Sequence, residues 1–271
     1  MSHPDFRPKQ PRRWTGLALA GTALTLAAAP LRAQELHLNQ AGPELLWLAQ
    51  AEGGEGGEAG VVVEQDDDAA YLAALGFIEG HLRAGVALYE AGLADMAITH
   101  MKHPQDEIYA NLAPQLAERG AEAFDLQLTA LAAAVETGGS VQDVQAAFAA
   151  VLHEVEEASE ATPPRMQLEA LALITRTAAE EYVIGVVDGQ IAELHEYQDA
   201  WGFIQTVRAR AAGLAESEDD AVAAAAAKIA TALTDAETAF AGLAPEGAAP
   251  GTADILFGAA AQIEFAVLAI K

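Results

Sequence analysis

An all-α, multi-helix bundle preceded by a signal peptide and a flexible acidic tether is the fold predicted by three features of this 271-residue chain. Hydrophobic residues make up 52% of it, with alanine dominant and aromatics at only 6%. Alanine loses no side-chain entropy in a helix and glutamate loses little, so an Ala- and Glu-rich composition favours that state. Apolar residues recur at three-then-four spacing from about residue 69 to the end, and glycine, proline or serine marks each break.

The first 33 residues read as a secretory leader. Arg7, Lys9, Arg12 and Arg13 form a basic start, and the apolar run from Leu17 to Ala29 falls short of the ~20 residues that a permanent span needs. Cleavage after Ala33 fits the small residues of Ala27-Ala28-Ala29-Pro30-Leu31-Arg32-Ala33 and keeps proline out of the first mature position. This places the mature protein in the periplasm or outside the cell, with no stable membrane span. Arg12-Arg13 before Trp14 raises the twin-arginine route, but Thr15-Gly16 suit that motif poorly and ordinary export is preferred. Residues 34–66 form the tether, because Glu52-Gly53-Gly54-Glu55-Gly56-Gly57-Glu58 cannot bury a core.

The bundle domain is expected over residues 67–271. Asp66-Asp67-Asp68 places acidic groups where a helix N-terminus favours them. Leu75, Ile78, Leu82, Gly85 and Tyr89 then line one buried face, and Gly92 ends that helix. A second helix is expected from Leu93 to His100. A third opens at Pro104, a good first helical residue with Asp106 and Glu107 in the first turn, and stops near Gly120. Further helices are predicted at 122–136, 140–159, 164–194, 196–215, 218–243 and 252–270, with Ser140-x-x-Asp143 resembling a capping box.

Gly76-Phe77-Ile78-Glu79-Gly80-His81-Leu82 lines up with Gly185-Val186-Val187-Asp188-Gly189-Gln190-Ile191. Two explanations stand side by side: an ancestral duplication that gives two pseudo-duplicated helical halves, or chance in a sequence of low diversity. Glycines four apart let helix backbones approach closely, so a crossing of these two segments is expected. A mid-helix glycine costs about 1 kcal/mol, which suggests a packing or binding reason for each.

The formal net charge is −26. Losing the leader removes five basic residues and one acidic residue, leaving the mature chain more negative still. Such a surface repels phosphate backbones and favours cations, so nucleic acid is excluded as a partner. With no cysteine there is no disulfide, no thiolate-bound metal and no haem c attachment.

Three clusters could carry chemistry. The densest is Met96, His100, Met101, His103, Asp106 and Glu107. Met96 and His100 share a helical face, and His103 lies four positions before Glu107. Imidazole with thioether suits copper, and imidazole with carboxylate suits zinc, iron or manganese. The plainer alternative is that His103 caps the helix opening at Pro104 and Met96 fills core. The second cluster is Glu79 with His81, where Glu79 could instead form an ordinary surface pair with Arg83. The third spans Glu193, His195, Glu196, Tyr197, Asp199 and Trp201, with His195 and Asp199 at i, i+4 spacing and Trp201 and Phe203 packing inward. A solvated acidic face beside an aromatic anchor is the alternative there. His153 with Glu154, Glu156 and Glu157 reads as surface charge. The candidate metal ligands are thus Glu79, His81, Met96, His100, His103, Glu107, His195 and Asp199.

Standard catalytic patterns are absent. There is no Glu-x-x-His of a di-iron bundle, no His-Glu-x-x-His, no Gly-x-Ser-x-Gly, no P-loop and no Gly-x-Gly-x-x-Gly, so neither an enzyme nor a nucleotide site is expected. In general plan the chain resembles exported, iron-associated imelysin-like proteins, which combine a duplicated helical bundle with a His- and Glu-bearing site. Their Gly-x-His-x-x-Glu element is not reproduced, since Gly80-His81 is followed by Arg83 and Ala84.

The expectation from sequence is a non-enzymatic binder of a transition-metal ion (Cu, Fe or Zn), acting as a carrier or accessory to metal uptake. The alternative is a scaffold that presents helical faces to another cell-envelope protein.

Overall fold

The computed structural model describes residues 67–245 and 247–270. The expected leader and tether lie outside the described residues. The rest is an all-α bundle whose axis is α1 (Asp68–Glu90). The Asp67 carboxylate opens α1 by accepting from the backbone N–H groups of Ala69 and Ala70 at 3.0 and 3.1 Å. Leu75, Ile78 and Leu82 are buried as the periodicity predicts, but so are Leu72, Ala73, Phe77 and Ala84 on the other sides. A helix apolar all round sits inside the fold rather than on its rim. It packs on α2 (Ala94–His103), α5 (Val141–Ser159), α6 (Pro164–Gly185) and α7 (Leu194–Leu214).

The break expected after His100 does not occur. α2 runs to His103, Pro104–Tyr109 continue as a wider π-helical turn, and α3 (Ala110–Arg119) follows without interruption. Proline cannot donate the usual helical hydrogen bond and crowds the carbonyl one turn earlier. A π turn absorbs that mismatch without ending the helix, a device often found at functional sites. α3 then ends at left-handed Gly120.

α4 (Asp125–Glu136) and α5 pack on each other. The Ser140 box forms as the spacing predicts: Asp143 N–H donates to Ser140 Oγ at 3.2 Å, and Ser140 N–H donates to Asp143 Oδ2 at 3.1 Å. Ser140→Ala should lower stability by about 1 kcal/mol, read as a shift in the urea midpoint at unchanged slope.

α6, α7, α8 (Asp220–Ala236) and α9 (Ala253–Leu268) form a four-helix unit, with α6 against α7 and α9 and with α8 bridging α7 and α9. Tyr182 and Tyr197 are buried in it, and the Tyr182 hydroxyl donates towards the carbonyls of Ala239 and Gly251; the helix expected to reach residue 243 stops at Ala236 and passes into a 3-10 turn over Glu237–Ala239. Among the described residues, no helix is long and apolar enough to cross a membrane.

The helix expected over 164–194 stops at Gly185. Val186–Val187 and Gln190–Ile191 pair as a two-stranded antiparallel hairpin, β1 and β2, around Asp188-Gly189. Both turn residues have positive φ, 53° and 74°, the requirement of the tight hairpin turn that Asp-Gly favours. Gly76–Leu82 lies mid-helix in α1, so the two similar segments adopt different structures and do not form the expected crossing. α1 crosses α7 instead. A Cβ on Gly202 would stand 2.2 Å from the Gly80 carbonyl oxygen, so both glycines serve one close helix contact.

Candidate metal centre

Glycine contacts bring three helices together around one carboxylate. The Gly80–Gly202 crossing holds α1 against α7, which sets His81 beside Asp199. Gly85 lets α2 approach α1, since a Cβ there would meet Met101 Cε at 2.6 Å and His100 Cβ at 3.2 Å. His81, His100 and Asp199 are all fully buried. His81 Nδ1 lies 2.6 Å and His100 Nδ1 2.9 Å from the same oxygen, Asp199 Oδ1. On the other side His195 Nδ1 lies 3.0 Å from Asp199 Oδ2, as its i, i+4 spacing on α7 predicts. His103 closes the group, with its ring 5.1 Å from those of both His81 and His195. His195 stacks on His100 at 4.2 Å.

Burial alone would raise the Asp199 carboxyl, but positive charge on His81 and His100 and hydrogen bonds from His100 and His195 hold it well below the usual range. For His195 burial works against the proton. The Asp199 hydrogen bond and charge outweigh it and move the imidazole up from its ordinary value.

The outer partners of the rings decide which nitrogens face inward. Gln198 Nε2 donates to the Leu243 carbonyl at 2.8 Å, so its Oε1 is the atom 2.8 Å from His100 Nε2. His100 Nε2 therefore carries a hydrogen. A neutral imidazole has only one, and its Nδ1 lone pair then faces a carboxylate oxygen, acceptor against acceptor. A positive charge between them, a second proton or a metal cation, resolves the conflict. Likewise Glu107 Oε1 takes the Nε2 side of His103 at 2.7 Å, leaving Nδ1 buried with no hydrogen-bond partner. His195 Nε2 is a second such buried atom. Holding one ring nitrogen from outside so that the other is presented inward is how proteins orient metal-binding histidines.

Of the eight candidates from sequence, His81, His100, His103, His195 and Asp199 converge. His81, His100 and Asp199 form one group and His103, His195 and Asp199 a second, each with ligand atoms within 4.8 Å of one another. Glu107 stands behind His103. Met96 is on the rim, 38% exposed rather than in the core, with its sulfur 3.7 Å from Gln198 Nε2. Glu79 points elsewhere: its buried carboxylate pairs with Arg83 at 2.6 Å and Arg210 at 2.9 Å, clamping α1 to α7 rather than forming a surface pair. The solvated face imagined around Asp199 is overturned by its burial. Trp201 is only half-buried, lining a surface groove with Arg83 and Phe148, while Phe203 does pack inward. His153 is exposed, 3.5 Å from Glu157. Gln198 was missed, because its partner His100 is 98 positions away and nothing local marks it.

Residues 157–267 match the family described as the iron permease-associated 4-helix bundle domain. The match covers α6 to α9 almost entirely, and with them His195, Gln198 and Asp199, but not the helices that carry His81, His100 and His103. The match spans less than half of the chain, so it is a likeness of α6 to α9 to that family. No curated protein and no solved structure matches the chain.

Proposed function

We propose that the protein is an exported, non-enzymatic binder of ferrous iron that serves as an accessory to an iron permease. One observation carries this reading: four imidazoles from α1, α2 and α7 gather on a single buried carboxylate, with the outer partners of His100 and His103 holding their Nε2 atoms so that Nδ1 is turned inward. Imidazole with carboxylate is a borderline donor set that suits Fe(II) better than the harder Fe(III). The family likeness of α6 to α9 favours iron among the ions such a set accepts. The basic-then-apolar leader supports a place outside the cytoplasm, and the strong negative charge would concentrate cations near the bundle. Copper is the second reading, favoured by the Met96 thioether on the rim.

The test is anaerobic titration of tag-free mature protein with Fe(II), Zn(II) and Cu(I), followed by calorimetry. Stoichiometric Fe(II) binding that is lost in His100→Ala His103→Ala is the expected result. Tighter retention of Cu(I) than of Fe(II) under competition would favour the second reading. Absence of stoichiometric binding of any ion by the wild type would remove the proposal.

A further inference from the structure

We infer that the site holds two cations bridged by the Asp199 carboxylate: an inner one at His81 and His100, and an outer one at His103 and His195. The inference rests on the metal-binding reading above and deepens it. The two carboxylate oxygens face different imidazoles. Oδ1 meets His81 and His100 at 2.6 and 2.9 Å, and Oδ2 meets His195 at 3.0 Å. A carboxylate that splits its oxygens between two donor sets is the natural bridge for cations about 3.5–4 Å apart. Each set supplies two imidazoles and one carboxylate oxygen, three protein ligands that leave room for water or cargo exchange. The buried, unpartnered Nδ1 of His103 belongs to the outer set, so donor capacity remains there after the inner set is satisfied.

The two positions differ in access. His81, His100 and Asp199 are wholly buried, whereas the side chains of His103 and His195 are 23% and 27% exposed. Of the two positions, the one at the partly exposed histidines is nearer to solvent. The outer position is therefore the loading and release point, and the inner one retains its ion. Glu107, 37% exposed and already 2.7 Å from His103, places a second negative charge beside the outer position, where the total positive charge would otherwise exceed what one carboxylate offsets.

The experiment is anaerobic Fe(II) titration of the full mature chain, with bound metal counted by elemental analysis after desalting and with Fe(II) chelator added to follow release. The wild type should take two equivalents, one released at least about tenfold faster than the other. His103→Ala His195→Ala, with its helical circular dichroism checked against the wild type, should keep one equivalent and lose the fast phase. Two Mn(II) ions in the wild type should give a spin-coupled paramagnetic resonance signal, and one in the variant an isolated six-line signal. One equivalent in the wild type, wholly lost in that variant, would overturn the two-cation inference while leaving iron binding intact. No binding at all would instead sink the functional reading itself.

Discussion

Asp199→Asn should erase the thermal stabilisation that Fe(II) gives the wild-type protein. A ligand that binds only the folded state stabilises it by RT ln(1 + [L]/Kd), about 2.7 kcal/mol at a hundredfold excess over Kd. For a domain of this size that is a rise of roughly 5–10 °C in the melting temperature. Asp199 is the residue both donor groups share, and its charge is buried against the imidazoles of His81, His100 and His195. An amide in its place keeps the shape but removes the anion. The expected loss is at least about a hundredfold in Fe(II) affinity, as removal of a ligand should cost more than the 10–100-fold typical of an outer partner. At the iron concentration that shifts the wild type, the variant should move by no more than about 1–2 °C. Scanning calorimetry with and without Fe(II) checks this, and circular dichroism of the metal-free variant checks that it folds. An undiminished iron-dependent shift in a folded Asp199→Asn protein would show that the carboxylate does not hold the ion.

Gly202→Ala should be the most damaging single-methyl change in the bundle. The added Cβ would lie 2.2 Å from the Gly80 oxygen and 2.9 Å from the Gly80 carbonyl carbon, both backbone atoms that cannot rotate aside. α1 and α7 would have to separate along one of the main contacts of the fold. Overpacking of this kind costs about 1–3 kcal/mol and sometimes more, against about 1 kcal/mol gained from alanine's helix preference. With the contact falling on rigid backbone the cost sits at the upper end, and a net loss of about 2 kcal/mol is expected in urea unfolding. Separation would also draw His81 from Asp199, so Fe(II) affinity should fall with stability. Gly258→Ala is the control. It lies mid-helix in α9 with nothing near its Cβ position, and should stabilise by about 0.5–1 kcal/mol. Equal effects of the two substitutions would mean that the α1–α7 crossing is not close-packed.

The helices were legible where local chemistry decides them. Asp67, Ser140 with Asp143, Gly92 and Gly120 act through backbone groups within a few residues, and their roles could be read from neighbours in sequence. Two local signals compete with stronger ones nearby. Asp188-Gly189 between Val187 and Gln190 is a hairpin signature, obscured by the similarity to Gly76–Leu82. Pro104 reads as a helix start, yet a π turn lets the helix pass through it. The glycines of α1 were rightly suspected of close packing, but their partners were not identifiable, because a glycine contact carries no complementary chemistry that points to its mate.

Sequence by itself determined the helical class, most helix ends and a short roster of imidazoles and carboxylates able to bind a metal. Those properties follow from propensity, capping and the intrinsic chemistry of side chains, which need no distant partner. Only the tertiary structure decided that His81, His100 and His103 join His195 at Asp199, that Arg210 buries the Glu79 pair, and that Gln198 sets the inward nitrogen of His100. Those facts depend on contacts between residues about a hundred positions apart. They are set by how closely Gly80, Gly85 and Gly202 allow α1, α2 and α7 to approach.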